Sequence, residues 1–255
     1  GHLTLPNKGL VYDWKVDPAK GEWLHWSEYM PKFVTIAPEN FEVDPLASAS
    51  IFCHTIETYR ISYILKLLLK SNTNVVLSGH SGSGKTTVVN RLMKEMEDED
   101  NEFGHFSLEF SSKTTSQTAQ KLIEMYLEKK HGDFLRPICD KNSVFCIDNI
   151  NFGQNDSFEL LRQILSFQGL FRKPSYQWIA VKKFALLGIS GQIQGTSRQL
   201  PPRLLRHVLT LEMAPFDSST SYQVVHSILQ LFFMKFNETV VSAEPRISNS
   251  IISIF

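Results

Sequence analysis

Gly79-His80-Ser81-Gly82-Ser83-Gly84-Lys85-Thr86 is the stretch whose reading decides the fold. It matches G-x-x-x-x-G-K-[ST] at every fixed position. The apolar run Val75-Val76-Leu77 precedes it, and residues 86–96 follow with Val89, Leu92, Met93 and Met96 at helical spacing. Strand, glycine-rich turn and helix is the context this motif needs. Glycines at 79, 82 and 84 let backbone N–H groups curl around a phosphate without Cβ clashes. The helix behind adds unpaired amides and the positive end of its dipole. Lys85 is expected to reach the β- and γ-phosphates, and the Thr86 hydroxyl to ligate Mg²⁺. A ligand-free glycine-rich turn is the bland alternative, and pattern and context together stand against it.

Such a loop calls for an acid at the end of a neighbouring buried strand, to hold Mg²⁺ through water. Val144-Phe145-Cys146-Ile147-Asp148 supplies it, 63 positions after Lys85. Taken alone, Asp148 also reads as a strand-end cap. The next residue matters most for turnover. Nucleotide hydrolases of this type commonly carry an acid there, to polarise the attacking water; here it is Asn149. An amide orients water but cannot accept its proton. Binding should therefore survive while hydrolysis is slow or absent, unless Asp156 or another nearby acid substitutes.

Outward from the loop, helix and strand signals alternate. Residues 55–70 place Ile61, Ile64, Leu65 and Leu68 on one helical face. The acidic run 97–100 reads as a solvated loop ending the helix at Met96. Strands are expected at 105–110, 143–147, 184–187 and 208–211, and helices at 115–130, 158–167 and 221–233. Near-continuous apolar strands alternating with helices imply a parallel sheet covered on both faces. The first 50 residues differ: Trp14, Trp23 and Trp26 lie among Pro6, Pro18, Pro31, Pro38 and Pro45. That mixture suggests an extended arm or a small packed hairpin.

The chain has 255 residues, 26 basic and 26 acidic, for a net charge of zero. With 42% hydrophobic and 20% charged residues it reads as one to two ordinary globular domains. Zero net charge without a long basic block argues against an electrostatic grip on nucleic acid or anionic membrane. Cys53, Cys139 and Cys146 have neither zinc nor disulfide spacing, which suits a reducing compartment. No apolar run approaches the roughly 20 residues of a membrane span, and no leader peptide is evident. The start, Gly1-His2-Leu3, leads us to expect an excerpt of a longer polypeptide.

Several segments together resemble the AAA+ modules of dynein heavy chains, most closely the third module of the ring in a divergent, axonemal-type chain. Lys8-Gly9-Leu10-Val11-Tyr12-Asp13, then Gly21-Glu22-Trp23 and Trp26, resemble the segment leading into that module. Thr55-Ile56-Glu57-Thr58-Tyr59-Arg60 resembles P-T-x-D-T-x-R, with His54 in place of the proline. Phe110-Ser111-Ser112-Lys113-Thr114-Thr115 resembles N-F-S-x-x-T-T, and Ile147-Asp148-Asn149-Ile150-Asn151 resembles D-D-L-N or D-E-I-N. Glu159-Leu160-Leu161-Arg162-Gln163 resembles E-L-L-R-Q, and Pro202-Arg203-Leu204-Leu205-Arg206-His207 resembles P-R-F-L-R-H.

The resemblance implies an α/β fold: a P-loop NTPase AAA+ core with a five-stranded parallel sheet in order 5-1-4-3-2. An extended N-terminal arm over 1–54 would precede the large subdomain at 55–212, and an incomplete helical lid at 213–255 would follow. It implies ATP or ADP with Mg²⁺ held by Gly79, His80, Ser81, Gly82, Ser83, Gly84, Lys85, Thr86 and Thr87. Thr55 would flank the adenine, and Thr86 and Asp148 would serve the metal. Asn149 occupies the base position, and Arg203 is the candidate arginine finger toward an adjacent module, with Arg206 able to trade roles. Residues 169–181 resemble an aromatic hairpin insertion.

Departures from the family pattern are His80 for the usual proline, Asn149 for the second acid, and Gly188 where a polar sensor is common. Residues 244–255 do not resemble further lid. The implied partners are adjacent AAA+ modules of the same chain, with intermediate or light chains and microtubules engaged only through the whole motor. Direct contact with nucleic acid or membrane is not expected. The implied setting is cytoplasmic, at the ciliary axoneme. An active ATPase completed by its neighbours, an empty structural ring segment and a small-molecule kinase are the rivals. The kinase needs converging arginines, and residues 87–147 offer only Arg91 and Arg136.

Overall fold

The computed structural model describes residue 6 and residues 9–17, 19–29, 52–129, 134–172, 175–192, 195, 197–233 and 242–253. The chain divides into two compact units, Gly1–Ile61 with Phe216–Phe255, and Ser62–Pro215.

In the first unit, β1 (Trp14–Asp17) and β2 (Glu22–His25) pair antiparallel, Trp14 opposite His25 and Asp17 opposite Glu22. Asp17 closes the turn: its carbonyl accepts from Gly21 N–H at 2.8 Å and its carboxylate from Ala19 N–H at 2.9 Å. The tryptophan-rich start is thus a hairpin where it is described, and not an extended arm. Pro18, Pro31, Pro38 and Pro45 lie outside the described residues. The short helix α1 (Trp26–Tyr29) buries Trp26, whose indole N–H donates to the Tyr12 carbonyl at 3.1 Å. Helix α2 (Ile56–Lys70) begins at a reciprocal threonine cap, Thr55 N–H to Thr58 Oγ1 at 2.8 Å and Thr58 N–H to Thr55 Oγ1 at 3.1 Å.

The strands of the second unit are β3 (Val75–Gly79), β4 (Phe103–Glu109), β5 (Leu127–Lys129), β6 (Phe134–Pro137), β7 (Asn142–Asp148), β8 (Gly169–Arg172), β9 (Gln177–Val181), β10 (Phe184–Ser190) and β11 (Leu209–Met213). Its helices are α3 (Lys85–Glu99), α4 (Ser116–Glu124), α5 (Asn155–Phe167) and α6 (Pro202–Leu205). Five strands form one parallel sheet in the order β11-β3-β10-β7-β4. Counted within that sheet the order is 5-1-4-3-2, as the resemblance implies. Phe145 at the centre of β7 is fully buried, with rings of Phe106 at 5.2 Å and Phe184 at 4.5 Å on the adjoining strands. Ile147, Ile150, Phe158 and Leu161 are equally buried. Each such side chain contributes about 1.5–3 kcal/mol, so β7 is anchored along its length and its last residue, Asp148, has a fixed position.

Two expectations for this unit are corrected. The acidic run is not a loop: α3 continues to Glu99, where the carboxylate pairs with Lys66 and Lys70. Glu97 accepts from the His105 backbone N–H at 3.2 Å. Neutralising partners from elsewhere in the fold let the acids stay helical. The helix expected through residue 130 stops at Glu124, and Leu127 instead enters the core as β5. That strand begins a second sheet, β5-β6-β9-β8, into which the aromatic hairpin of β8 and β9 is built, Phe171 opposite Trp178.

Back in the first unit, α7 (Ser218–Phe233) is followed by α8 (Glu244–Ile252), which packs against it. Pro245 occupies the first turn, where its missing N–H costs nothing. The buried Glu244 accepts from Ser248 and meets His226 Nδ1 at 2.7 Å. A segment that does not resemble further lid by sequence is thus a helix, with its first carboxylate turned inward. No helix among the described residues is long and apolar enough to cross a membrane.

Candidate functional site

Parallel pairing brings the C-terminal ends of β3, β4, β7 and β10 to one edge of the sheet, the edge where open α/β sheets take ligands. At the end of β3, Gly79 has φ 151°, and a Cβ there would lie 2.6 Å from the Met213 carbonyl oxygen of β11. Gly84 caps α3 in the left-handed region, φ 84°. Between them, Ser83 Oγ donates to the His80 carbonyl at 2.9 Å. Lys85, 8% exposed, donates from Nζ to the carbonyls of Gly79 at 3.0 Å and His80 at 2.6 Å. Burial lowers its pKa from the usual lysine range, against a smaller opposing pull from Asp148. The ammonium is thus held within the loop, in an environment that an incoming anion would favour.

Asp148 ends β7, and its two carboxylate oxygens are separately engaged. Oδ2 accepts from Thr86 Oγ1 at 3.0 Å and Oδ1 from the Asn149 backbone N–H at 2.8 Å. Two oxygen donors side by side suit Mg²⁺, which takes one or two protein oxygens and keeps several waters. Asn149 adopts the left-handed conformation, φ 55°, which asparagine tolerates better than most residues. Its Nδ2 donates to Glu109 Oε1 at 3.3 Å.

A cavity of about 450 Å³ opens here, lined by Ser81, Gly82, Gly84, Lys85, Thr86, Thr87, Asp148 and Asn149 among the residues singled out above. Gly79, His80 and Ser83 belong to the loop without lining the cavity. Thr55 belongs to the first unit, buried in its cap with Thr58. Arg203, on α6, is 70% exposed and 3.8 Å from Glu159, whose carboxylate Arg162 holds below its ordinary range. Arg206 instead donates to His207 Nε2 at 3.0 Å.

Further residues that sequence reasoning passed over reach this edge. Phe152, Ile189, Gly191 and Gln192 also line the cavity. Gly188 lies within β10, two residues before its end, and a Cβ there would meet Ile150 and Val76. Gln192, which also lines the cavity, places its Nε2 2.9 Å from His80 Nε2. Asp156 accepts from the Ser116 backbone N–H at 2.9 Å; neither it nor Glu109 lines the cavity, and Glu109 reaches it through Asn149. The acid that meets Asn149 is Glu109. No local sequence signal marks it, since it falls opposite Asp148 only once β4 and β7 pair in register. Cys146 is sealed in β7, and burial pushes its thiol up to about 12, so it has no part in the chemistry.

Residues 42–216 match the family described as the P-loop containing dynein motor region. The chain belongs to this family. It is 31% identical to dynein heavy chain-like protein 2 of Plasmodium falciparum over 99% of the chain and 5% of that protein. Over 96% of the chain it is 26% identical to the flagellar outer arm dynein beta chain of Chlamydomonas reinhardtii, again 5% of the relative. Mouse dynein axonemal heavy chain 1 is 28% identical over 89% of the chain and 6% of its own length. The chain thus spans about a twentieth of the length of these curated relatives. The strand–loop–helix that carries Lys85 agrees with the P-loop of that description.

Proposed function

We propose that this dynein-family module binds ATP or ADP with Mg²⁺ as a regulatory site, turning nucleotide over slowly. The observation that carries this reading is the meeting of Thr86 and Asp148 at 3.0 Å beside the Lys85 loop. A phosphate-binding loop and an oxygen pair for Mg²⁺ thereby open into one cavity. Lys85 and the loop amides would hold the phosphates, and Thr86 and Asp148 the metal. Mg²⁺ would draw charge from the phosphate oxygens when bound. Asn149, lacking a basic carboxylate, would orient water without taking its proton.

We place the chain as the third module of a ring on its motif resemblance alone, with core at 55–212, an N-terminal segment at 1–54 and helices of a partial lid at 213–255. Nucleotide would then alter the fit to adjacent modules, and Arg203, exposed and only loosely held, would serve a neighbour's phosphates. Microtubules and accessory chains would be reached only through the whole motor. The axonemal and flagellar names of the relatives favour a ciliary axoneme.

Melting of the chain with MgATP and with MgADP tests the binding reading. Saturation at 100 Kd should add about 2.7 kcal/mol, and Lys85→Ala should remove that gain. An unchanged melting temperature with both nucleotides would leave an empty structural segment. One observation favours a second reading, an active ATPase: the carboxylate of Glu109 lies against Asn149.

A further inference from the structure

We infer that Glu109 supplies the water-activating carboxylate that position 149 lacks, with Asn149 as the residue that positions it. This inference rests on the nucleotide-binding reading above. Glu109 ends β4 directly opposite Asp148 in the parallel register. Residues paired in this way point to the same face of a sheet, so Glu109 shares the face on which Asp148 meets Thr86. Asn149 Nδ2 donates to Glu109 Oε1 at 3.3 Å, which fixes one carboxylate oxygen and leaves Oε2 to act. The remaining acid raised from the sequence is committed elsewhere, since Asp156 accepts from Ser116 N–H at 2.9 Å.

In the step assigned to Glu109, a water oxygen bonds to the terminal phosphorus of a bound nucleoside triphosphate. The bond from that phosphorus to the bridging oxygen breaks, and its electron pair leaves on the diphosphate. The water's proton passes to Glu109, which returns it to the departing phosphate or to solvent.

Single-turnover cleavage of radiolabelled ATP, with the 255-residue chain in excess over nucleotide, tests the assignment. The affinity for a non-hydrolysable ATP analogue and the melting temperature without nucleotide are measured in parallel. Glu109→Gln should slow cleavage by on the order of 100-fold, the contribution of a general base. Affinity and melting temperature should change little. The exchange E109N/N149E should restore cleavage to at least the parent rate. Cleavage that is undiminished in Glu109→Gln overturns the inference, as does a loss of cleavage matched by equal losses of affinity and melting temperature. Analogue binding without measurable cleavage by the parent chain overturns it while sparing the binding reading. No analogue binding at all overturns both.

Discussion

The phosphate loop and the corner at Asp148 share one edge of the sheet but are built from different material. In residues 79–86 the chemistry comes from main-chain amides on a path that Gly79 and Gly84 dictate, plus one lysine held by loop carbonyls. At the corner it comes from the side chains of Thr86, Asp148, Asn149 and Glu109, each making one or two contacts. A backbone site tolerates exchange at positions whose side chains point away, as with His80 in place of proline. A side-chain site changes its chemistry with every exchange. This is why the loop remains a full motif match while the corner has departed from the family pattern. On the proposed reading, binding and turnover would then be alterable separately.

The largest test of that contrast is Gly79→Ala. The added Cβ would press on the Met213 carbonyl at 2.6 Å, a backbone atom that cannot rotate away, at a φ of 151°. Strain of this kind together with a displaced β11 should cost about 3 kcal/mol in denaturant unfolding. A loss under about 1 kcal/mol would mean that the path of the loop is not set by its glycine.

Asp148→Asn should do less to the fold and act on the metal. An amide oxygen can still accept from Thr86, so stability should stay within about 1 kcal/mol. The charge proposed to serve Mg²⁺ is lost, and the difference in ATP affinity between Mg²⁺ and EDTA should shrink about tenfold, roughly 1.4 kcal/mol. If chelation weakens ATP binding equally in parent and variant, Asp148 does not serve the metal and the corner has another role.

The same contrast explains what could be read from sequence. Loop and sheet were legible because their signals are local: glycine spacing, a lysine-threonine pair, and apolar runs such as 144–147 that fit only a buried strand. Asp148 was legible because it directly follows such a run. Glu109 was not, because its meaning arises only when β4 lies beside β7 in register and Asn149 turns into the left-handed region. Gln192 was hidden for a similar reason, since the extent of β10 beyond Gly188 decides which residue reaches the rim. Tertiary partners also overrode local pattern at Glu99, kept helical by Lys66 and Lys70, and at Leu127, drawn from an expected helix into a strand.

The smallest effect is expected at His80, where loop and rim meet. Its Nε2 lies 2.9 Å from Gln192 Nε2, so one of the two partners must donate and the other accept across the mouth of the cavity. The pair is exposed, and water can replace either partner once the other is gone. The backbone carbonyl of His80, which accepts from Lys85 and Ser83, is untouched by a side-chain change. His80→Ala should therefore alter ATP affinity by less than about threefold, or roughly 0.65 kcal/mol, measured by titration in Mg²⁺. A tenfold loss would show that the imidazole reaches the ligand itself. The loop would then depend on a side chain as the corner does, and the division between a backbone-built cradle and a side-chain-built corner would fail at this residue.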